Sequence, residues 1–102
     1  MTVEILYFSG CANFQAACAL VERISSELGI DPELRMVEVP DAETAERLRF
    51  LGSPTIRVDG NDVEPGADAR EQFVLACRVY MLDSGYTGVP DERWVRRALT
   101  LR

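Results

Sequence analysis

Residues Val3 to Phe14 read VEILYFSGCANF, a short apolar run that leads into a helical pattern with a cysteine at the junction. Val3 to Phe8 mixes β-branched and aromatic residues and reads as a buried strand. After it, Phe14, Ala17, Cys18, Val21, Ile24 and Leu28 recur at the i, i+3, i+4, i+7 spacing of one helical face. Glu22, Arg23, Ser26 and Glu27 fall on the opposite face. The spacing predicts a helix that starts near Cys11 to Asn13, runs to Leu28 and stops at Gly29. Cys11 then lies at a helix N-terminus. The unpaired amides and the helix dipole found there favour a thiolate, and small Gly10 and Ala12 leave the sulfur accessible.

Outward from this junction the same reading continues. Leu34, Met36, Val37 and Val39 form a second strand between Pro32 and Pro40. Asp41 suits an N-cap, with Glu43 in the first turn of a second helix that carries Arg47 and Arg49 towards its end and closes at Gly52. Thr55 to Val58 is a third strand. Asp59-Gly60 or Gly60-Asn61 supplies a hairpin turn, and Asp62-Val63-Glu64 a short return. Pro65 to Arg70 is polar and loop-like. From Phe73 to Met81 the residues alternate: Phe73, Leu75, Cys77, Val79 and Met81 share one side, which predicts a strand with a wholly apolar face. Pro90 opens a last helix with Asp91 and Glu92 near its positive end, and Trp94, Val95, Ala98 and Leu99 on its core face. The order is β-α-β-α-β-β, an excursion, then α. Its βαβ opening implies a right-handed crossover and a partly parallel sheet covered by helices.

Bulk properties narrow the function. With 102 residues the chain suits one domain, taken here as 1–102. Seventeen acidic against 11 basic residues leave a net charge of −6, which argues against nucleic acid or an anionic membrane as partner. No apolar run approaches the ~20 residues of a membrane span, and the start lacks the pattern of a signal peptide. A cytoplasmic location is the expectation. Three cysteines exclude a fully paired disulfide framework, and the absence of histidine removes imidazole bases and the commonest zinc ligand. No metal site and no bound cofactor are expected.

Three features in this order resemble the thioredoxin-like fold: YFSGC between the first strand and helix, GSPT directly before the third strand, and the TIRVDGNDV hairpin. The resemblance implies a β-α-β-α-β-β-α three-layer sandwich, here with an extra segment, Gly66 to Tyr86, before the last helix. It implies that Pro54 is a cis-proline facing Cys11. It also implies that Ser53 and Pro54 present backbone to an extended substrate, as if to an added strand. In one departure from the redox members, the second cysteine of CxxC is replaced by Phe14, giving a degenerate, single-cysteine motif.

The thiols and their neighbours divide by position. Cys11 is the candidate nucleophile. Cys18, two helical turns on, lies on the apolar face and reads as a small core residue. Cys77 sits in the excursion. Core packing is its simple reading, and a role as resolving thiol follows if the excursion folds over Cys11 and Pro54. Tyr7 and Phe14 flank the site as candidate substrate-binding residues, or else belong to the core. Arg47, Arg49 and Arg78 read most simply as solvated charges, although arginine suits an anion such as a glutathione carboxylate.

Two functions remain open at this level. The first is a monothiol redox protein that exchanges Cys11 with a protein disulfide or with glutathione as co-substrate, by way of a mixed disulfide. The second is a non-catalytic binding module that uses the Ser53-Pro54 edge for a peptide or protein partner.

Overall fold

A computed structural model describes residues 1–100. Strand β1 (Thr2–Tyr7) leads into helix α1 (Phe14–Leu28), followed by β2 (Glu33–Glu38), α2 (Ala42–Arg47), β3 (Thr55–Val58) and β4 (Asn61–Asp62). A 3-10 turn at Ala67–Ala69, the hairpin strands β5 (Tyr80–Leu82) and β6 (Gly85–Thr87), and helix α3 (Glu92–Thr100) complete the chain. The first four strands form one mixed sheet in the order β2-β1-β3-β4. β1 runs parallel to β2, with Ile5 opposite Met36, and antiparallel to β3, with Ile5 opposite Ile56. β3 and β4 are antiparallel.

Alternation along β1 sends its side chains to both faces of the sheet. Val3 and Ile5 join Ile56 and Val58 beneath Ala17, Val21 and Ile24 of α1 and Val95 and Leu99 of α3. Leu6 points the other way, into a smaller cluster with Val39, Ala45 and Phe50 beside α2. Each of these Val, Leu, Ile and Phe side chains contributes about 1.5–3 kcal/mol by its burial. α1 ends as its sequence indicates. Gly29 is left-handed at φ 68°, and the amides of Gly29 and Ile30 return to the carbonyls of Ser26 and Ser25. The described residues form a mixed α/β fold with a four-stranded mixed sheet, a two-stranded hairpin and three α-helices.

Local structure departs from the sequence reading in three places. α1 begins at Phe14, and its N-cap Asn13 makes no side-chain cap bond, so Cys11 precedes the helix instead of opening it. α2 ends at Arg47, because Arg49 adopts a positive φ of 56° and turns the chain towards the sheet. The largest departure is the segment from Phe73 to Met81. Only Tyr80 to Leu82 is strand, and Cys77, Val79 and Met81 of the face that reads as apolar core are turned outward, whereas Leu75 packs against the Leu6 and Phe50 cluster. Val79 is 60% and Met81 64% exposed, whereas Arg78 and Tyr80 are buried at 2% and 0%. Alternation is real here, but its buried side is the polar one. Arg78 finds carboxylate partners inside, and Tyr80 buries more surface than any aliphatic residue it replaces.

Candidate functional site

The site is built around a turn. β1 ends at Tyr7, and Cys11 donates its amide to the Phe8 carbonyl at 3.2 Å while its own carbonyl receives the Phe14 amide at 3.4 Å. The Tyr7 and Phe14 rings stack across this turn, with centroids 3.9 Å apart and planes 21° from parallel. Phe14 occupies the position where a dithiol motif would carry its second cysteine, and here its ring closes the strand onto the helix. Gly10 takes φ 87°, with open space where a Cβ would stand, so the turn rests on that residue's freedom in the left-handed region. Cys11 is half-buried and Cys77 exposed, and neither is in a disulfide. The carbonyl ends of the turn bear on the dipole argument. Cys11 stands two residues before the N-cap, and the dipole's influence fades within the first helical turn.

Ser53 ties the turn to the rest of the site. The Phe8 amide donates to Ser53 Oγ at 3.3 Å. The Ser53–Pro54 peptide bond is cis. Both Ser53 backbone groups are engaged within the chain: its amide donates to the Ala76 carbonyl at 2.8 Å, and its carbonyl receives the Arg78 amide at 2.9 Å. These two bonds make a parallel bridge between Ser53 and Cys77. The donor and acceptor that the resemblance reserves for an added substrate strand are therefore held by residues 76–78 of the same chain.

This strap is fastened along its length. The Val74 amide donates to the Phe50 carbonyl at 3.0 Å. Leu75 packs against the Leu6 and Phe50 cluster. The Tyr80 hydroxyl donates to the Pro54 carbonyl at 2.5 Å. Gly52, at φ 121°, lets the strap approach, since a Cβ there would lie 2.8 Å from Arg78 Cβ and 3.0 Å from its Cα. The far end of the excursion also reaches the turn. A Cβ on Gly88 would collide with the Asn13 side-chain amide, so Asn13 and Gly88 are in close contact. A shallow recess lined by Phe8, Ser9, Glu38, Val39, Pro40 and Leu75 lies between the turn and the strap.

Arg78 anchors the strap in charge. Its guanidinium donates to Thr55 Oγ1 at 2.9 Å, to Asp62 Oδ2 at 2.8 Å and to Glu64 Oε1 at 2.7 Å, and it lies 4.5 Å over the Tyr80 ring. Arg70 adds a second cation on Glu64 at 3.0 Å, so two guanidiniums face two carboxylates. Burial alone would lower the Arg78 pKa, but the hydrogen bonds and charges of Asp62 and Glu64 outweigh it and hold the guanidinium protonated. Burial drives the Tyr80 phenol well above the ordinary tyrosine range, against the opposing pull of Arg78. Burial also raises the Cys18 thiol, with Glu22 adding to it, which disfavours Cys18 as a nucleophile.

Sequence-based candidates sort as follows. Cys11, Tyr7 and Phe14 share one turn, and Ser53 and Pro54 adjoin it through the Phe8 bond. Cys77 pairs with Ser53 and lies on the solvent side of the strap, so its reading as core is corrected: the strap's inward positions go to Arg78 and Tyr80. Arg78 is likewise no solvated charge. Gly52, Arg78 and Tyr80 were not anticipated. The available signal was the pair Asp62 and Glu64 flanking buried Val63, since two carboxylates beside a core residue call for a cation elsewhere in the chain. Arg47 and Arg49 are exposed, as expected, with Arg49 lying 4.7 Å over the Phe73 ring. Among the described residues no group of three or more His, Cys, Asp or Glu side chains could hold a metal ion, and no helix is long and apolar enough to cross a membrane. The chain matches no protein-family model, no curated protein and no solved structure.

Proposed function

We propose that this chain is a thioredoxin-like thiol–disulfide exchange protein with Cys11 as its nucleophile. The observation that carries the reading is the Phe8 amide bond to Ser53 Oγ, which tethers the cysteine-bearing turn to the Ser53–Pro54 segment. The sheet order β2-β1-β3-β4, with β1 and β2 parallel and β3 and β4 antiparallel, supports the fold half of it. So does the division of helices, with α1 and α3 against one face and α2 against the other.

In this reading the Cys11 thiolate attacks one sulfur of a disulfide. A mixed disulfide forms and the other sulfur leaves as a thiolate. Substrates are a protein disulfide or the disulfide of glutathione, and the protein holds no cofactor of its own. Stacked Tyr7 and Phe14 keep the turn in shape, so the nucleophile is presented by a rigid frame. The rival reading, an edge that binds a peptide without chemistry, has less support. An incoming strand at Ser53 would first have to displace residues 76–78, which already take both backbone groups.

The test is the rate at which iodoacetamide alkylates Cys11 at neutral pH in a Cys18→Ala, Cys77→Ser protein. The expected rate is faster in the folded protein than in the same protein unfolded in urea. An equal or slower rate in the folded state removes the exchange reading.

A further inference from the structure

We propose that Cys77 is the built-in resolving thiol for Cys11, so that the protein works as a dithiol couple whose two sulfurs come from separate parts of the fold. This rests on the exchange reading above and extends it. The missing second cysteine of the turn is supplied by the strap.

Bridged residues of neighbouring strands lie ~4.8 Å apart and point their side chains to the same face of the pair. Ser53 points its hydroxyl at the Phe8 amide, the start of the turn that ends at Cys11. Cys77, bridged to Ser53, therefore projects on that same face. Its backbone is held on both sides, by the Ala76 and Arg78 bonds to Ser53, and the next inward residues, Arg78 and Tyr80, are buried. Cys77 itself remains exposed, as an attacking thiol must be. Cys18 does not compete, since it packs against the main core and burial raises its pKa.

The chemistry balances in two displacements. The Cys11 thiolate attacks a substrate disulfide, forming a Cys11–substrate bond and releasing one substrate thiolate. The Cys77 thiolate then attacks Cys11 Sγ, forming the Cys11–Cys77 disulfide and releasing the second substrate thiolate. The two thiols of the protein are oxidised by two electrons, and the substrate disulfide is reduced to two thiols that take up the protons. An external dithiol, or two molecules of a monothiol such as glutathione, returns the protein to its starting state by the reverse exchange.

The experiment uses the full chain carrying Cys18→Ala, alone and combined with Cys77→Ser or with Cys77→Ala. Each protein is treated with oxidised glutathione, quenched in acid, and read by intact mass and peptide mapping. The expected result is a Cys11–Cys77 disulfide without retained glutathione when Cys77 is present. Both Cys77 variants should instead retain one glutathione on Cys11. If all three proteins accumulate the same glutathione adduct on Cys11, the resolving role is overturned while the exchange reading stands. If none of them reacts, both fall.

Discussion

Residues 2–63 and residues 64–91 are held together by different physics. The first region is a sheet with helices on its faces, and its elements are made by periodic apolar side chains and repeated backbone bonds. In the second, regular structure is confined to one 3-10 turn and a hairpin of two three-residue strands. Its position depends on a few individual anchors instead: one buried guanidinium, one phenol, the packing of Leu75, one backbone bond to Phe50 and two to Ser53. A region held by many equivalent contacts loses little with any one of them. A region held by a few specific ones concentrates its stability, and its fragility, in named atoms.

The most damaging way to test that contrast is Arg78→Ala. It strips Asp62 and Glu64 of a cation that is 1% exposed, leaving carboxylates that are 10% and 17% exposed. Breaking a buried ion pair from one side costs about 3–5 kcal/mol, and urea unfolding should show a loss of that size. An effect below about 1 kcal/mol, the usual ceiling for a surface pair, would mean that the strap is not fastened there. Arg78→Lys should recover only part of the loss, because one ammonium cannot serve Thr55, Asp62 and Glu64 in the geometry of a planar fork.

Next in size is Tyr80→Phe, which leaves the Pro54 carbonyl without its donor. A loss of about 1–3 kcal/mol is expected from one unsatisfied buried acceptor. The same substitution has a signature in pH. The folded-state pKa of Tyr80 is raised, so its phenol keeps its proton in the native state at pH values where the unfolded chain has lost it. That contribution to stability is fully present below the unfolded value near 10 and is lost as pH rises beyond it. Stability should therefore fall more steeply above about pH 10 in the natural protein than in Tyr80→Phe, as read by chemical denaturation at several alkaline pH values. Identical slopes would show that the phenol is free to ionise in the folded state.

The smallest effect belongs to the regular half. Asp41 caps α2, with its Oδ1 accepting the Thr44 amide at 2.8 Å, and hydrogen bonding to the Thr44 side chain, with that amide adding to it, keeps its carboxyl below the usual aspartate range. Asp41→Ala should cost about 1 kcal/mol in urea unfolding, without altering the accessibility of Cys77 to thiol reagents. A change in Cys77 labelling on losing this cap would blur the distinction between the two regions.

How much of this was legible in the chain follows from where the information is stored. The strand at the start, the helical face from Phe14 to Leu28, its stop at Gly29 and the cap at Asp41 all depend on neighbours within a few residues. So does the hairpin around Gly60. These are periodic or capping signals, and sequence reading recovers them. The turn around Cys11 and the Ser53–Pro54 segment, each marked in the sequence by a short motif, adjoin through the Phe8 amide bond to Ser53 Oγ. Arg78 and Tyr80 escaped, and the core reading of Cys77 failed, for one reason: alternation reports which residues share a side but not which side faces inward. Hydrophobicity suggested the face with Leu75, Cys77 and Val79; the structure packs Leu75 against the core but past it buries Arg78 and Tyr80 instead.

The amino-acid sequence by itself therefore determined a mixed α/β chain, its order of elements through residue 63 and the position of Cys11 between the first strand and helix. Each of these is local, set by side-chain period, capping and turn chemistry. Only the tertiary structure decided that residues 74–80 lie along Phe50 to Pro54, that Ser53 has no backbone group left for an incoming strand, and that Cys77 is drawn to the same edge as the Cys11 turn. Those outcomes hang on Arg78 reaching Asp62 and Glu64, 16 and 14 residues away along the chain, and on a glycine at 52 that lets two backbones approach. Interactions between residues so far apart, between groups that are polar and buried together, leave no periodic trace in the chain that makes them.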